Sequence, residues 1–233
     1  MIQVRKAGER GKTSIDWLDS WHSFSFGSYH DSAHMGFGPL RVINDDIIKP
    51  AAGFGSHPHR DMEIITYVME GALQHKDSLG NGSMIVPGDV QYMSAGSGIV
   101  HSEYNPQPDK RVHLLQIWIM PDKHGLNPAY QQKNFSEVRV PGKLTLLVSR
   151  DGREGSLQFN QDASMAVLDL DVGQNYDYAI TPGKLVWVHV AKGNVMLGDI
   201  VLAQGDGVAV RDEAHLQFIG KDKAEILIFD LPK

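Results

Sequence analysis

GSHPHRDME at residues 55–63 and GSGIVHSEYN at residues 96–105 are the two segments that decide how this sequence folds. Each segment carries two residues of metal-binding type spaced two apart, and side chains spaced two apart on an extended chain project to the same face. The glycines before the second pair allow the backbone to bend tightly, and Pro87-Gly-Asp89 supplies the turn that precedes it. The two segments therefore predict neighbouring antiparallel strands of a β-barrel.

The paired side chains are His57 with His59 and His101 with Glu103. One HxH motif alone would be a weak signal, but two such pairs on adjacent strands would converge in the interior of a barrel. The chain has no cysteine, so a metal would be held by nitrogen and oxygen, which suit Fe, Ni, Co, Mn, Cu or Zn. We predict one divalent transition metal bound by these four residues, with octahedral positions left open for water, dioxygen or a chelating substrate.

A further carboxylate follows the first pair. Glu63 lies four residues beyond His59, which gives it the same strand parity. It could be a fifth ligand, a general base, or a partner of Arg60 or of a ring N–H, and we favour a carboxylate that supports the ligands or takes part in catalysis. The other histidines are expected to be structural, including His22, for which a hydrogen-bonded position in the core is favoured over a place in the cavity.

The rest of the chain also predicts β-structure. Its 24 glycines and 11 prolines are spread as turn signals between short runs rich in Val, Ile, Leu and aromatic residues. Long amphipathic helical stretches are missing, which favours a sandwich or barrel. The clearest predicted strands are Leu40–Asn44, Glu63–Met69, Ser83–Val86, Val90–Met93, Val112–Met120, Leu144–Val148, Ala166–Leu170, Leu185–Val190 and Ile226–Asp230.

An internal repeat indicates that the barrel occurs twice. YVMEG at 67–71, followed by PGD at 87–89, is echoed by VHVAKG at 188–193, followed by QGD at 204–206. A polar, proline-containing stretch between the two copies is typical of a linker.

We therefore predict a metal-binding domain at residues 1–130 and a related domain at residues 131–233, with the linker near 121–141. At the positions that match the four ligands, the second copy has Ala179, Thr181, His215 and Gln217. The second domain is therefore expected to lack a metal site, to pack against the first, and to contribute no catalytic residue.

Composition limits the location and the partners of the protein. With 42% hydrophobic and 21% charged residues, the chain is ordinary for a globular protein. Its formal net charge of −6 disfavours unaided binding to nucleic acid. It has no run long enough for a membrane span and no apolar signal-peptide core at its start. We expect a cytoplasmic monomer that does not bind membranes.

Four motifs together resemble the pirin family, whose members are bicupins with two cupin barrels. They are WHSFSFG at 21–27, HPHRDME at 57–63, GSGIVHSE at 96–103 and LQIWIMP at 115–121. The resemblance covers the whole chain. Within the family, the sequence most resembles bacterial pirin-like proteins with quercetin 2,3-dioxygenase activity. It implies an all-β fold of two packed, jelly-roll-like barrels and a metal, usually Fe(II), held in the N-terminal barrel by the residues that match His57, His59, His101 and Glu103.

The resemblance also implies a reaction. A flavonol would chelate the metal through its 3-hydroxyl and 4-carbonyl oxygens, lose a proton, and react with dioxygen to release carbon monoxide. Glu103, or failing that Glu63, would take the proton. Phe24, Phe26 and Met35 are candidates for contact with the flat rings, although ordinary core packing is favoured for all three.

Two alternatives belong to other classes. The first is a non-catalytic, metal-dependent transcriptional co-regulator or redox-sensing interaction module, which release of carbon monoxide from a flavonol would distinguish from the enzyme. The second, sugar-phosphate isomerisation, ranks last because no basic cluster for a phosphate lies beside the motif.

Overall fold

The structure, a computed structural model, describes residues 1–233, and most of them lie in short β-strands. The first twelve strands are β1 (Ile2–Arg5), β2 (Gly11–Ile15), β3 (Leu18–His22), β4 (Leu40–Ile48), β5 (Gly53–His59), β6 (Glu63–Glu70), β7 (Leu73–Asp77), β8 (Gly82–Ile85), β9 (Asp89–Ser94), β10 (Ile99–Tyr104), β11 (Val112–Ile119) and β12 (Ala129–Asn134). The remaining strands are β13 (Leu144–Ser149), β14 (Leu157–Gln158), β15 (Ser164–Leu170), β16 (Asn175–Ala179), β17 (Leu185–Lys192), β18 (Asn194–Leu197), β19 (Ile200–Ala203), β20 (Gly207–Val210), β21 (His215–Gly220) and β22 (Ala224–Leu231). The predicted all-β class is confirmed.

Helix is limited to two single turns of 3-10 type, Ala7–Glu9 and Arg153–Gly155. The structure contains no helix with the length and apolar composition of a membrane span.

The chain divides into two compact units. The N-terminal unit comprises Gly11–Ser136 and Phe159–Gln161, and the C-terminal unit comprises Met1–Arg10, Glu137–Gln158 and Asp162–Lys233. Each unit has one seven-stranded and one four-stranded sheet. The orders are β12-β9-β6-β11-β4-β3-β2 and β5-β10-β7-β8 in the first unit, and β1-β20-β17-β22-β15-β13-β14 and β16-β21-β18-β19 in the second.

The strand orders of the two units correspond, as the internal repeat predicted. In the four-stranded sheets, β5-β10-β7-β8 matches β16-β21-β18-β19, and the match extends to register. His101 lies opposite His57 in the first unit, and His215 lies opposite Ala179 in the second. The substitution of Ala179 for a histidine therefore falls at an equivalent position of the fold.

The first ten residues do not group with the sequence that follows them. β1 pairs with β20 and takes the edge position that β12 occupies in the N-terminal unit. This long-range pairing explains why Met1–Arg10 belongs to the C-terminal unit. The division into domains at residues 1–130 and 131–233 stays a prediction, and the compact units differ from it at residues 1–10, 131–136 and 159–161.

Buried central strands stabilise the N-terminal unit. β6 and β11 pair antiparallel at the middle of the seven-stranded sheet, which accounts for their nearly continuous apolar sequences. Burying a Val, Leu or Ile side chain stabilises a fold by about 1.5–3 kcal/mol. One core cluster consists of Leu18, Ile48, Val68, Leu73, Ile85, Val112 and Leu114. The framework around the two histidine-bearing strands therefore rests on apolar burial.

The strands β5 and β10 carry the two motifs and pair antiparallel, as predicted. The register shifts between His101 and Glu103, so that Glu103 lies opposite Phe54 instead of opposite the residue two positions before His57. A β-bulge of this kind places an extra residue in one strand and reverses the faces beyond it. Phe54 is thereby brought to the same face as the histidines.

Candidate metal centre

Three histidine rings meet where β5 pairs with β10. His57 and His59 come from β5 and His101 from β10, and their ligand nitrogens all lie within 4.8 Å of one another. The ring centroid of His57 lies 4.8 Å from that of His59 and 4.4 Å from that of His101. The structure thus brings together the three histidines that the i,i+2 spacing and the antiparallel pairing predicted.

The environment keeps the rings of His59 and His101 in the neutral form that binds metals. Burial, together with the nearby ring of His57, lowers the pKa of His59 to about 4. Burial, together with the rings of His57 and His59, lowers the pKa of His101 to about 3. A neutral imidazole offers one nitrogen lone pair, which is what a divalent transition metal requires.

Hydrogen bonds identify the nitrogens that remain available. The Nδ1–H of His57 donates to the carbonyl oxygen of Gly55 at 2.7 Å, which leaves Nε2 as the acceptor that could bind a metal. Both ring nitrogens of His101 are buried without a hydrogen-bond partner. Buried polar atoms rarely stay unpaired in native proteins, so this pair of orphaned nitrogens fits a site for an ion.

Glu103 lies two residues beyond His101 on the same face of β10. Both of its carboxylate oxygens accept hydrogen bonds from Nε2 of Gln116, at 2.8 and 3.0 Å. Burial raises the pKa of Glu103, against the opposing effect of the Gln116 hydrogen bonds. The carboxylate is outside the group of ligand atoms that lie within 4.8 Å of one another. Oε1 also accepts a long hydrogen bond from the Thr66 hydroxyl at 3.5 Å, whereas Oε2 has Gln116 as its one donor. Oε2 therefore keeps a lone pair, and Glu103 could serve as a fourth ligand or as a base.

The structure corrects the expected position of Glu63. Its carboxylate accepts hydrogen bonds from the hydroxyls of Tyr92 and Ser94 and from the backbone N–H of Asn160. The strand parity that placed it beside His59 does not apply, because residues 60–62 interrupt the strand and β6 belongs to the other sheet of the unit. The chain bends at Asp61, which has a left-handed backbone with φ of 57°. Glu63 therefore lies on the opposite face of β6 and away from the three histidines.

A cavity of about 340 Å³ opens beside the histidines, within the 300–1,000 Å³ typical of small-molecule sites. Its aromatic wall consists of Phe26, Phe54 and Trp118. The ring of Trp118 lies edge-on to that of His59, with centroids 4.9 Å apart, and Phe26 lies edge-on to Trp118 at 5.4 Å. Flat apolar rings can pack against such a wall.

The three aromatic and apolar candidates from the sequence have different positions. Phe26 lines the cavity. Phe24 is buried and Met35 is exposed, and neither of them lines the cavity. Phe54 and Trp118 were missed. Strand parity does not predict the position of Phe54, because the bulge in β5 reverses its face. Trp118 has the same strand parity as Gln116 on β11, but this becomes informative only when the pairing of β11 with β6 is known.

The cavity also has a polar wall. It contains Ser20 and His22 from β3, Asn44 and Asp46 from β4, and Gln116 from β11. His22 is hydrogen-bonded, with Nδ1 2.7 Å from Oδ1 of Asn44, as expected for a buried histidine, but it also faces the cavity. The sequence offered no spacing signal for this wall, because its residues come together only when β3, β4 and β11 pair.

Two family models match the chain. The model described as Pirin matches residues 3–119, and the model described as Quercetinase C-terminal cupin domain matches residues 146–231. A protein of Escherichia coli K12 named quercetin 2,3-dioxygenase is 47% identical over 232 residues, which cover 100% of this chain and 99% of that protein. A putative quercetin 2,3-dioxygenase of Pasteurella multocida is 41% identical, covering 99% of this chain and 100% of the relative.

A solved structure agrees with the whole fold. The bacterial pirin YhhW from Escherichia coli in complex with nickel(II) superposes with a TM-score of 0.95 at 46% identity, covering 100% of this chain and 99% of that one. The similarity therefore extends over both compact units.

Proposed function

The chain belongs to the pirin family, and from this premise we propose that it is a metal-dependent dioxygenase that cleaves flavonols such as quercetin. The observation that carries the proposal is a group of three histidines, two of which, His57 and His59, line a cavity with an aromatic wall. The relatives named quercetin 2,3-dioxygenase support the choice of substrate.

Four residues would hold the metal. His57, His59 and His101 supply nitrogen, and Glu103 supplies oxygen from the same face of β10. When bound, a divalent metal, Fe(II) or alternatively Ni, Co, Mn, Cu or Zn, would supply Lewis acidity toward the substrate oxygens and a centre for reaction with dioxygen. That the Escherichia coli pirin was solved in complex with nickel(II) supports the choice of a divalent ion.

The protein's own residues bind the flavonol and handle its proton. Phe26, Phe54 and Trp118 form the wall against which the flat rings pack and exclude water from them. Glu103 takes the proton of the 3-hydroxyl, because its carboxylate lines the cavity and shares a face of β10 with His101. Gln116 holds that carboxylate in place through two hydrogen bonds. Reaction of the deprotonated flavonol with dioxygen then opens the ring and releases carbon monoxide.

The test is turnover by the metal-replete protein. Quercetin absorbance and carbon monoxide are followed together in air, with metal-free protein as the control and with Fe(II) and Ni(II) restored separately. We expect one carbon monoxide for each flavonol consumed, only with metal present. A metal-loaded protein that binds quercetin without releasing carbon monoxide would contradict the proposal and would favour a non-catalytic, metal-dependent regulator.

A further inference from the structure

The polar wall of the cavity contains a carboxylate that the proposed reaction does not use. Asp46 lies on β4, opposite Ser20 of β3 and Leu114 of β11. Its side chain shares the cavity face of β4 with Asn44, whereas Asp45 points to the other face and contacts His113 at 2.6 Å. Asp46 thus lines the same cavity as His57 and His59, but from a different sheet.

Asp46 is buried and only partly satisfied. Its exposed fraction is 3%, and its Oδ1 has no hydrogen-bond partner. Ser20 is the side chain that hydrogen-bonds the carboxyl group, and the charged groups acting on it, Glu103 and Asp45, are both acidic. No lysine or arginine lines the cavity. A buried carboxylate without a cation is costly to keep unless a ligand completes its hydrogen bonds.

The neighbours of Asp46 already have partners within the protein. Oδ1 of Asn44 is paired with His22. The amide nitrogen of Gln116 donates to Glu103, and its oxygen accepts from Thr66 at 3.1 Å. Oδ1 of Asp46 is therefore a buried acceptor beside the cavity that has no partner within the protein.

We propose that Asp46 is a specificity-determining residue that hydrogen-bonds a phenolic hydroxyl of the substrate at a point distinct from the metal-chelating edge. The inference rests on the proposed function, since it takes a flavonol as the ligand. The site then selects aromatic substrates that carry a further ring hydroxyl in addition to the one that chelates the metal. A buried group that pairs with a substrate hydroxyl rejects analogues that lack it, because the group is then left unpaired.

The protonation of Asp46 is compatible with this role. Burial, opposed by the hydrogen bond from Ser20 and reinforced by the charges of Glu103 and Asp45, raises its pKa to about 7. Near neutral pH the ionised form accepts a hydrogen bond from a phenol, and the protonated form donates one to the phenolic oxygen. Either form completes the hydrogen bonding of the buried group.

The experiment compares two ligands on metal-loaded protein. Quercetin carries hydroxyls on its rings, whereas 3-hydroxyflavone keeps the chelating 3-hydroxyl and 4-carbonyl but lacks the others. Dissociation constants and kcat/KM are measured for both ligands with the wild type and with Asp46→Leu. We expect the wild-type preference for quercetin to fall by about 10–100-fold in the variant, the range of one hydrogen bond to a charged group.

Controls separate this inference from folding and from the reaction itself. Asp46→Asn keeps an acceptor oxygen and should retain part of the preference, and Asp45→Asn should retain all of it. An unchanged preference in a folded, metal-loaded Asp46→Leu variant would overturn the inference. If no variant releases carbon monoxide but the binding preference still depends on Asp46, the proposed reaction fails and this inference stands.

Discussion

Glu103 shares a strand face with His101, and its replacement tests the proposed role in proton transfer. Glu103→Gln keeps the shape and one coordinating oxygen but removes the base. We expect turnover of quercetin to fall by about 10²–10⁴-fold while quercetin binding changes little. Metal content is measured in the same samples by elemental analysis, so that loss of the ion is not mistaken for loss of the base.

Glu63→Gln is the matched control, because Glu63 is equally buried but faces away from the cavity. The substitution weakens hydrogen bonds from Tyr92, Ser94 and Asn160, so we expect the free energy of unfolding to fall by about 1–3 kcal/mol. The turnover rate of the folded variant should stay near that of the wild type. If Glu63→Gln removes turnover and Glu103→Gln does not, the assignment of the base to Glu103 is wrong.

Asp46 predicts a pH dependence of stability. Its pKa rises from 3.8 in a model peptide to about 7 in the folded protein, so the folded state binds more protons than the unfolded state between those values. The contribution of Asp46 to the free energy of unfolding therefore decreases as pH rises from about 4 to 7. An asparagine at this position does not titrate, so the free energy of unfolding of Asp46→Asn does not show this decrease. We expect metal-free Asp46→Asn to gain stability relative to the wild type over that range, by up to a few kcal/mol in order of magnitude.

Urea unfolding at a series of pH values measures this difference. The gain should level off above about pH 7, where Asp46 is ionised in both states. A difference between variant and wild type that does not change with pH would show that Asp46 titrates normally.

At the scale of elements, the close approach of β5 and β10 decides whether the histidines converge. Gly53 permits this approach, because a Cβ there would lie 2.2 Å from the carbonyl oxygen of Glu103 and 2.6 Å from Cα of Tyr104. Gly53→Ala must push the strands apart, and we expect a loss of about 1–3 kcal/mol in the free energy of unfolding together with weaker metal binding.

Gly55→Ala provides a control on the same strand. A Cβ at Gly55 would meet no atom within 4 Å, and the carbonyl that accepts from His57 is unchanged. Its stability and metal affinity should stay close to those of the wild type. Equal effects of the two substitutions, measured by thermal unfolding and metal titration, would show that strand separation is not the cause.

At the scale of the whole molecule, the candidate metal centre is a local site in a fold that apolar burial stabilises. We expect elemental analysis to find one metal per chain, because the structure has a single group of three histidine ligands. His57→Ala combined with His101→Ala should abolish metal binding and leave circular dichroism and cooperative unfolding intact. A variant that fails to fold would indicate a structural metal and would weaken the enzymatic proposal.

His215→Ala is the control for the second unit. His215 lies opposite Ala179, where the first unit has His101 opposite His57, so it lacks the partner that would complete a pair. Metal content and turnover should both match the wild type. Loss of turnover with full metal content would show that the C-terminal unit takes part in the reaction.

The sequence by itself determined the β class, the internal repeat and the three histidines. These depend on local periodicity: alternation on a strand places His57 and His59 on one face whatever surrounds them. The strand predicted at Glu63–Met69 is likewise realised as β6, because its apolar run needs a buried position.

Only the tertiary structure determined which residues form the polar wall of the cavity and where Glu63 lies. Asp46 reaches the cavity because β3, β4 and β11 pair with one another. Phe54 reaches it because a bulge reverses the face of its side chain. Glu63 faces away because residues 60–62 lead into a different sheet. The edge position of β1 is another such case. Strand parity carries information only within one uninterrupted strand, whereas register, bulges and the choice of sheet depend on hydrogen bonds between residues far apart in the chain.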